Sequence, residues 1–460
     1  MMIYVRFALH IQAYAINQHK IAEDMLTNPF LKTLSICEGT VSILDAKCVV
    51  YSRLWCIFEL FKSVMSGNSK FEFDVYTEID GDRRAVGINH GFIPSDHGES
   101  YLKKLRESKF PLDRILQAAN VDIKQAQASV ESDRKFLLST ITGRSVDDAV
   151  VDNHAKSDEL NNILRGIFVT PALQRIIKEK DVHTITRCLD IVKASNARFI
   201  DLDLRDCSRF DDDILIRLTD SLPPTLTRFS LWSTGSAVTV NGMNASLRKI
   251  FGCPQLVSLV LSCTNIYDDG AKHIADALKI NHSLKILLLI GNNIDDDGAT
   301  HIADALKVNH TLETLDLSLN KIGTDGAKQF SDRLKVNHSL KTVVLYGNNI
   351  GDDGAKAIAD ALKGNHSLKT LHLSSNNIGD DGAKQIADAL KVNHSLEELN
   401  LRWNNINNDG AKQIADALKV NHSLKNLNLM NNKISAYGNK YLSKTLRELK
   451  SFSQDINIFL

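Results

Sequence analysis

Histidine returns at one register of this chain, as His282, His310, His338, His366, His394 and His422. Histidines invite a metal or pH-switch reading. Zinc, however, needs three or four ligands converging at about 2 Å, and a ladder with one ligand per turn does not converge. A structural role is expected for them. Asp295-Asp296-Asp297-Gly298 has the charge for calcium but lacks the alternating oxygen ligands of a calcium loop. Helix capping is the simpler reading. Each of these histidines also sits inside Asn-His-Ser or Asn-His-Thr, formally an N-glycan acceptor. Met1 to Ala15 is fairly apolar but broken by Arg6, His10 and Gln12, so no signal peptide is expected and the asparagines read as ordinary loop residues.

Composition narrows the classes further. Among 460 residues, Lys plus Arg and Asp plus Glu are both 55, giving zero net charge. A general nucleic-acid binder would need clustered positive charge, so none is expected. No stretch approaches the roughly 18 apolar residues of a membrane span. Seven cysteines, none beyond Cys263, leave the repetitive part without disulfide staples and favour a reducing, cytoplasmic setting.

The elements that carry these residues follow from a 28-residue period. Asn-His-Ser-Leu begins at Asn281, Asn337, Asn365, Asn393 and Asn421, with a Thr version at Asn309. Such a period specifies stacked units that bury a core only between neighbours. Within one unit, Leu287 and Leu289 alternate with Leu288 and Ile290, a strand's period of two. Ile302, Ala303 and Leu306 then fall at helical spacing. Asp268, Asp296, Thr324, Asp352, Asp380 and Asn408 are expected as helix N-caps. The asparagines at 292, 320, 348, 376, 404 and 432 are expected to satisfy backbone groups in the turn after each strand. Tracing back through Leu256, Leu226 and Phe199 predicts nine strands from about Phe199 to Met430.

The pattern Leu284-x-x-Leu287-x-Leu289-x-x-Asn292-x-Ile294 is identified as a leucine-rich repeat. The repeat length and the Gly-Ala-x-x-Ile-Ala-Asp-Ala-Leu helix resemble the ribonuclease-inhibitor type. The resemblance implies an α/β solenoid, a horseshoe with parallel strands inside and helices outside. It implies protein binding rather than catalysis, with no cofactor. Ran-type GTPase activators share this repeat, but no match to their catalytic arginine loop is present; Arg205 and Arg402 are the exposed candidates.

Residues 1–110 follow other rules. An apolar strand at Thr40 to Leu44, a helical stretch from Tyr51 to Met65 and a strand at Phe71 to Tyr76 predict a small parallel α/β domain. The run Ser52-x-x-Trp55-Cys56-x-x-Glu59-Leu60 resembles the core motif of TIR domains, in which the Glu cleaves NAD. That resemblance makes Glu59 the one catalytic alternative, a carboxylate beside a ribosyl cation. The first βαβ unit is shortened and no phosphate-binding glycine loop is present, so the favoured reading leaves Trp55, Phe58 and Leu60 as core and Glu59 without a catalytic role. The domain organisation expected is 1–110 as this α/β domain, 111–195 as a helical connector capping the solenoid, 196–450 as the repeats and 451–460 as a tail.

The helices hardly vary from repeat to repeat, whereas the outward strand positions do. Aromatic and arginine side chains anchor interfaces, and exposed apolar patches usually have a partner. The candidates for binding a protein partner on the concave face are therefore Trp232, Leu288, Ile290, Asp316, Val344, Tyr346, His372, Arg402 and Trp403.

Overall fold

A computed structural model describes residues 39–44, 72–79, 82–89, 110–126, alternate positions of 135–139, 155–195, 201–204, 210–232, 237–451 and 456–459. Glu59, the Tyr51–Met65 helix and Arg205 lie outside these residues. The chain divides into two compact units, Met1–Ala197 and Arg198–Leu460.

In the first unit, β1 (Gly39–Leu44) pairs in parallel with β2 (Glu72–Ile79), the arrangement expected of a strand-helix-strand unit. A third strand, β3 (Asp82–Asn89), was not foreseen; it pairs antiparallel with β2. The helices that follow include α1 (Leu112–Ala118), α2 (Ala155–Glu179) and α3 (Val182–Ala194). Buried Asn161 ties α2 to the segment after α1, accepting from Ile123 N at 2.9 Å and donating to Asp122 at 3.0 Å.

The second unit is a leucine-rich-repeat solenoid. Its nine expected strands are present: β4 (Asp201–Leu204), β5 (Arg228–Trp232), β6 (Ser258–Ser262), β7 (Ile286–Leu288), β8 (Thr314–Asp316), β9 (Thr342–Val344), β10 (Thr370–His372), β11 (Glu398–Asn400) and β12 (Asn426–Asn428). Each pairs in parallel with the next. Residues expected as a tail add a tenth strand, β13 (Asn457–Phe459), on β12. Helices alternate with the strands: α4 (Asp212–Asp220), α5 (Val240–Phe251), α6 (Tyr267–Leu278), α7 (Asp296–Ala305), α8 (Thr324–Leu334), α9 (Gly351–Leu362), α10 (Asp380–Leu390), α11 (Asn408–Leu418) and α12 (Ala436–Ser451). Leu284, Leu287, Leu289, Ile294, Ile302, Ala303 and Leu306 are all buried, so each repeat contributes one layer of the core. Strands pack about 4.8 Å apart and helices about 8–10 Å apart, which makes the strand side the inner one.

The expected caps do something else. Asp268, Asp296, Asp352, Asp380 and Asn408 lie one or two residues inside their helices, beyond the cap position. Their side chains reach the start of the next repeat's helix instead. Asp352 Oδ1 accepts from Gly379 N at 2.6 Å and Gly382 N at 2.9 Å. Asp380 accepts from Asn407 N and Gly410 N, and Asn408 from Ser435 N. The capping chemistry is that of an N-cap, supplied by the neighbour. It also accounts for the glycine: a Cβ on Gly382 would stand 2.7 Å from Asp352 Oδ1.

Two asparagine ladders run through the stack. In the expected one, Asn404 Oδ1 accepts from Asn376 N and Ile378 N, each at 3.0 Å, and its amide donates to Leu373 O at 2.9 Å. The second is built from the asparagines of Asn-His-Ser/Thr, which sequence reasoning left as loop residues. Asn309, Asn337, Asn365, Asn393 and Asn421 are buried. Asn365 donates to Leu334 O at 2.7 Å and Asn337 O at 2.9 Å, and accepts from Ser367 N and Leu368 N. The nitrogen that a glycan would require is spent on two carbonyls. The adjoining histidines are exposed, one per repeat.

Replacing Asn365 with Ala strands two carbonyls and two N–H groups in the interior. A loss of about 1–3 kcal/mol is expected, read from urea unfolding followed by circular dichroism. His366→Ala, at an exposed neighbouring position, should stay within about 0.5 kcal/mol of wild type.

Candidate functional site

The strand face carries the residue types that vary between repeats. Its outermost row along the strands consists of Lys285, Glu313, Lys341, Lys369, Glu397 and Lys425. Glu313 is shared by Lys341 (2.6 Å) and Lys285 (3.3 Å), and Glu397 by Lys425 and Lys369. Hydrogen bonds from these lysines hold both glutamates below the usual carboxylate range. Four lysines of the row therefore share two carboxylates.

The next variable row crosses the middle of the strands. Leu288, Asp316 and Val344 stand in register on neighbouring strands, and His372 follows. Asp316 thus stands between the apolar Leu288 and Val344. Its carboxylate serves its own strand end, accepting from Ser318 N at 2.8 Å and from the Ser318 hydroxyl. Asn400 and Asn428 accept the equivalent N–H groups of Arg402 and Met430. Burial pushes the Asp316 carboxyl upward, against the lowering effect of the Ser318 hydrogen bonds and the His372 charge. His372 Nε2 lies 3.0 Å from Glu398 Oε1.

The third row lies at the C-terminal ends of the strands and alternates large with small: Trp232, Ser262, Ile290, Ser318, Tyr346, Ser374, Arg402, then Met430. Strands about 4.8 Å apart do not seat large side chains at every level. The buried serines 262, 318 and 374 are the spacers. Across Ser374 and Ser375, the rings of Tyr346 and Trp403 meet with centroids 6.5 Å apart. The Arg402 guanidinium stacks 4.1 Å from the Trp403 ring centre, a cation–π contact. With its amide oriented to suit these donors, Asn431 accepts from Trp403 Nε1 at 2.6 Å and from Arg402 Nε and Nη2 at 3.1 Å. On the other flank, Leu319 N donates to Tyr346 O at 2.7 Å, and its side chain lies over Gly347.

Trp403 and Leu319 occupy the turn position where two other repeats place Gly291 and Gly347, and all four have left-handed backbone, with φ of 54° at both Trp403 and Leu319. Glycine is the residue that suits this region; a bulky side chain there costs on the order of 1 kcal/mol. Both side chains are nevertheless about half exposed, 47% and 50%. The strain is not repaid by burial.

Of the candidates, the structure brings Tyr346, Arg402 and Trp403 together, and sets Leu288, Asp316, Val344 and His372 side by side. Ile290 is half-buried in the third row, and Trp232 is exposed on β5, away from the Tyr346–Trp403 cluster. Leu319, Asn431 and Glu398 escaped sequence reasoning. The alternation with serine was the available signal for the cluster. Among the described residues no group of three or more His, Cys, Asp or Glu could hold a metal ion, and no helix is long and apolar enough to cross a membrane.

Five segments, 281–303, 308–331, 336–359, 364–387 and 392–415, match the family description "Leucine Rich repeat". No curated protein matches the chain. Among solved structures, "Leiomodin-1 Actin-Binding Site 2 (ABS2)" is similar at 24% identity, over 34% of this chain and 92% of that one, with a TM-score of 0.28.

Two outcomes follow from this geometry. A carboxyl raised in the folded state keeps its proton to higher pH than in the unfolded chain, so stability falls as pH rises from about 3.9 through the raised native value. Asp316→Asn keeps the acceptor, as Asn400 and Asn428 show. It should be more stable than wild type at pH 7 in thermal melts, with the gain vanishing as pH falls through the carboxylate range. Leu319→Gly should stay within about 1 kcal/mol of wild type, whereas truncating buried Leu317 to Ala should cost about 2–5 kcal/mol.

Proposed function

We propose that the chain is a non-enzymatic interaction protein that holds a protein partner on the strand face of its repeats. The observation that supports this most is the strained, half-exposed Trp403, stacked on Arg402 and facing Tyr346. Bulky residues kept in left-handed backbone without burial serve something outside the fold. Aromatic and arginine side chains are the usual interface anchors. The helices repeat nearly unchanged, while the strand face differs at every level, as a surface shaped to one partner would. The 28-residue repeat favours the ribonuclease-inhibitor type of solenoid. The free thiols of Cys188, Cys253 and Cys263 suit a reducing compartment such as the cytoplasm.

An affinity pull-down with the full chain tests the reading. Trp403→Gly and Tyr346→Ala should each weaken capture of the partner by about 1–3 kcal/mol. Trp403→Gly suits the turn, so its melting temperature should be kept. Lys384→Ala, on the exposed side of α10, should change nothing. Equal losses from both sides of the solenoid would overturn the assignment.

A further inference from the structure

We infer that the Arg402–Trp403–Tyr346 cluster recognises a peptide segment carrying a carboxylate beside an apolar side chain; this rests on the strand face being the binding face. The charge on the face points to it. Lys285 and Lys341 share Glu313, Lys369 and Lys425 share Glu397, and His372 has Glu398. Arg402 differs: its partners among the described residues are the Trp403 ring and the neutral Asn431 amide. Of the five N–H donors of a guanidinium, the Nε and Nη2 side is turned to Asn431. That bond and the ring stack fix the guanidinium plane and leave its outer edge for an incoming acceptor. A guanidinium fork matches a carboxylate with two parallel hydrogen bonds. The apolar part of the ligand has its place next to it. Trp403 and Leu319 are each about half exposed, and Tyr346 lies between them, ring-to-ring with Trp403 and backbone-bonded to Leu319.

A polyanion fits less well. Binding a phosphate backbone needs several unpaired cations along a track, and the four lysines of the outermost row already share Glu313 and Glu397. The first turns of α9 and α10 carry Asp352, Asp353, Asp380 and Asp381, which repel a long anion. One carboxylate, delivered to one arginine, is what the charge pattern accommodates.

The test is a selection of phage-displayed random heptapeptides on the full chain, followed by fluorescence-anisotropy titration of the recovered peptides. Recovered sequences should carry Asp or Glu within two residues of an aromatic or aliphatic side chain. Changing that acid to its amide should weaken binding to wild type about tenfold or more. The same change should make little difference to Arg402→Gln, so the two losses do not add. Trp403→Gly should lose the apolar preference while melting as wild type does. Peptides that depend on Trp403 but are indifferent to the acid would overturn this inference and leave the strand-face reading standing. Peptides indifferent to both Trp403→Gly and Arg402→Gln, or no recovered peptides at all, would count against both. A ten-residue oligouridylate that binds wild type and is lost in Arg402→Gln would show that the arginine reads phosphate, and would also overturn it.

Discussion

Each regular repeat of this solenoid leaves buried backbone groups that it does not pair by itself, and a neighbouring repeat pairs them. Buried N–H and C=O groups without partners cost about 1–3 kcal/mol each, so a stack of short strands and tight turns stands only if those groups are met. Here three side-chain rows meet them across the repeat boundary. Asn404 and its equivalents serve the turn after the strand, Asn365 and its equivalents the turn before it, and Asp352 and its equivalents the start of the next helix. Each row spans a whole repeat, which makes a 28-residue spacing a physical requirement. Inserting one residue would carry all three side chains out of reach of their partners.

Because these rows and the aliphatic layers carry the stability, the outward strand positions are released from it. They can carry lysine, aspartate, tyrosine or tryptophan at little cost to the stack. The spacing of the strands is what still constrains them: large side chains alternate with the buried serines 262, 318 and 374. The same rule that limits the face shapes it, because the space above Ser374 is where Tyr346 and Trp403 meet. Strain at Trp403 and Leu319 is tolerated for the same reason. A cost on the order of 1 kcal/mol is small against ten strands of paired backbone and buried leucine.

The two units contrast in how their contacts are distributed. In the second, each repeat has its chemistry supplied by its neighbour in sequence, the quasi-linear logic of repeat proteins. In the first, single side chains bridge distant segments, as Asn161 does to Asp122 and Ile123. Such bridges leave no periodic trace.

The array itself was legible from residue order, since the period, the strand leucines and one asparagine ladder are local patterns that repeat. From these came the parallel strands β4 to β12, their helices and the outward rows. Other features depended on proximity between repeats or across the sheet. Asp352 looked like a cap of its own helix because the spacing to the next helix is set by packing, not by sequence distance. Asn365 looked like a loop residue because its two acceptor carbonyls, Leu334 and Asn337, lie 31 and 28 residues earlier. The last strand, β13, looked like a tail because three residues carry no period of their own. Tyr346, Arg402 and Trp403 could be named from their types, but their meeting could not. It depends on a left-handed turn at Trp403, on two small residues in the repeat between, and on an amide, Asn431, that one strand brings beside another. Periodicity records what each repeat must share with the next; contacts between unlike residues of different repeats exist only once the stack has formed.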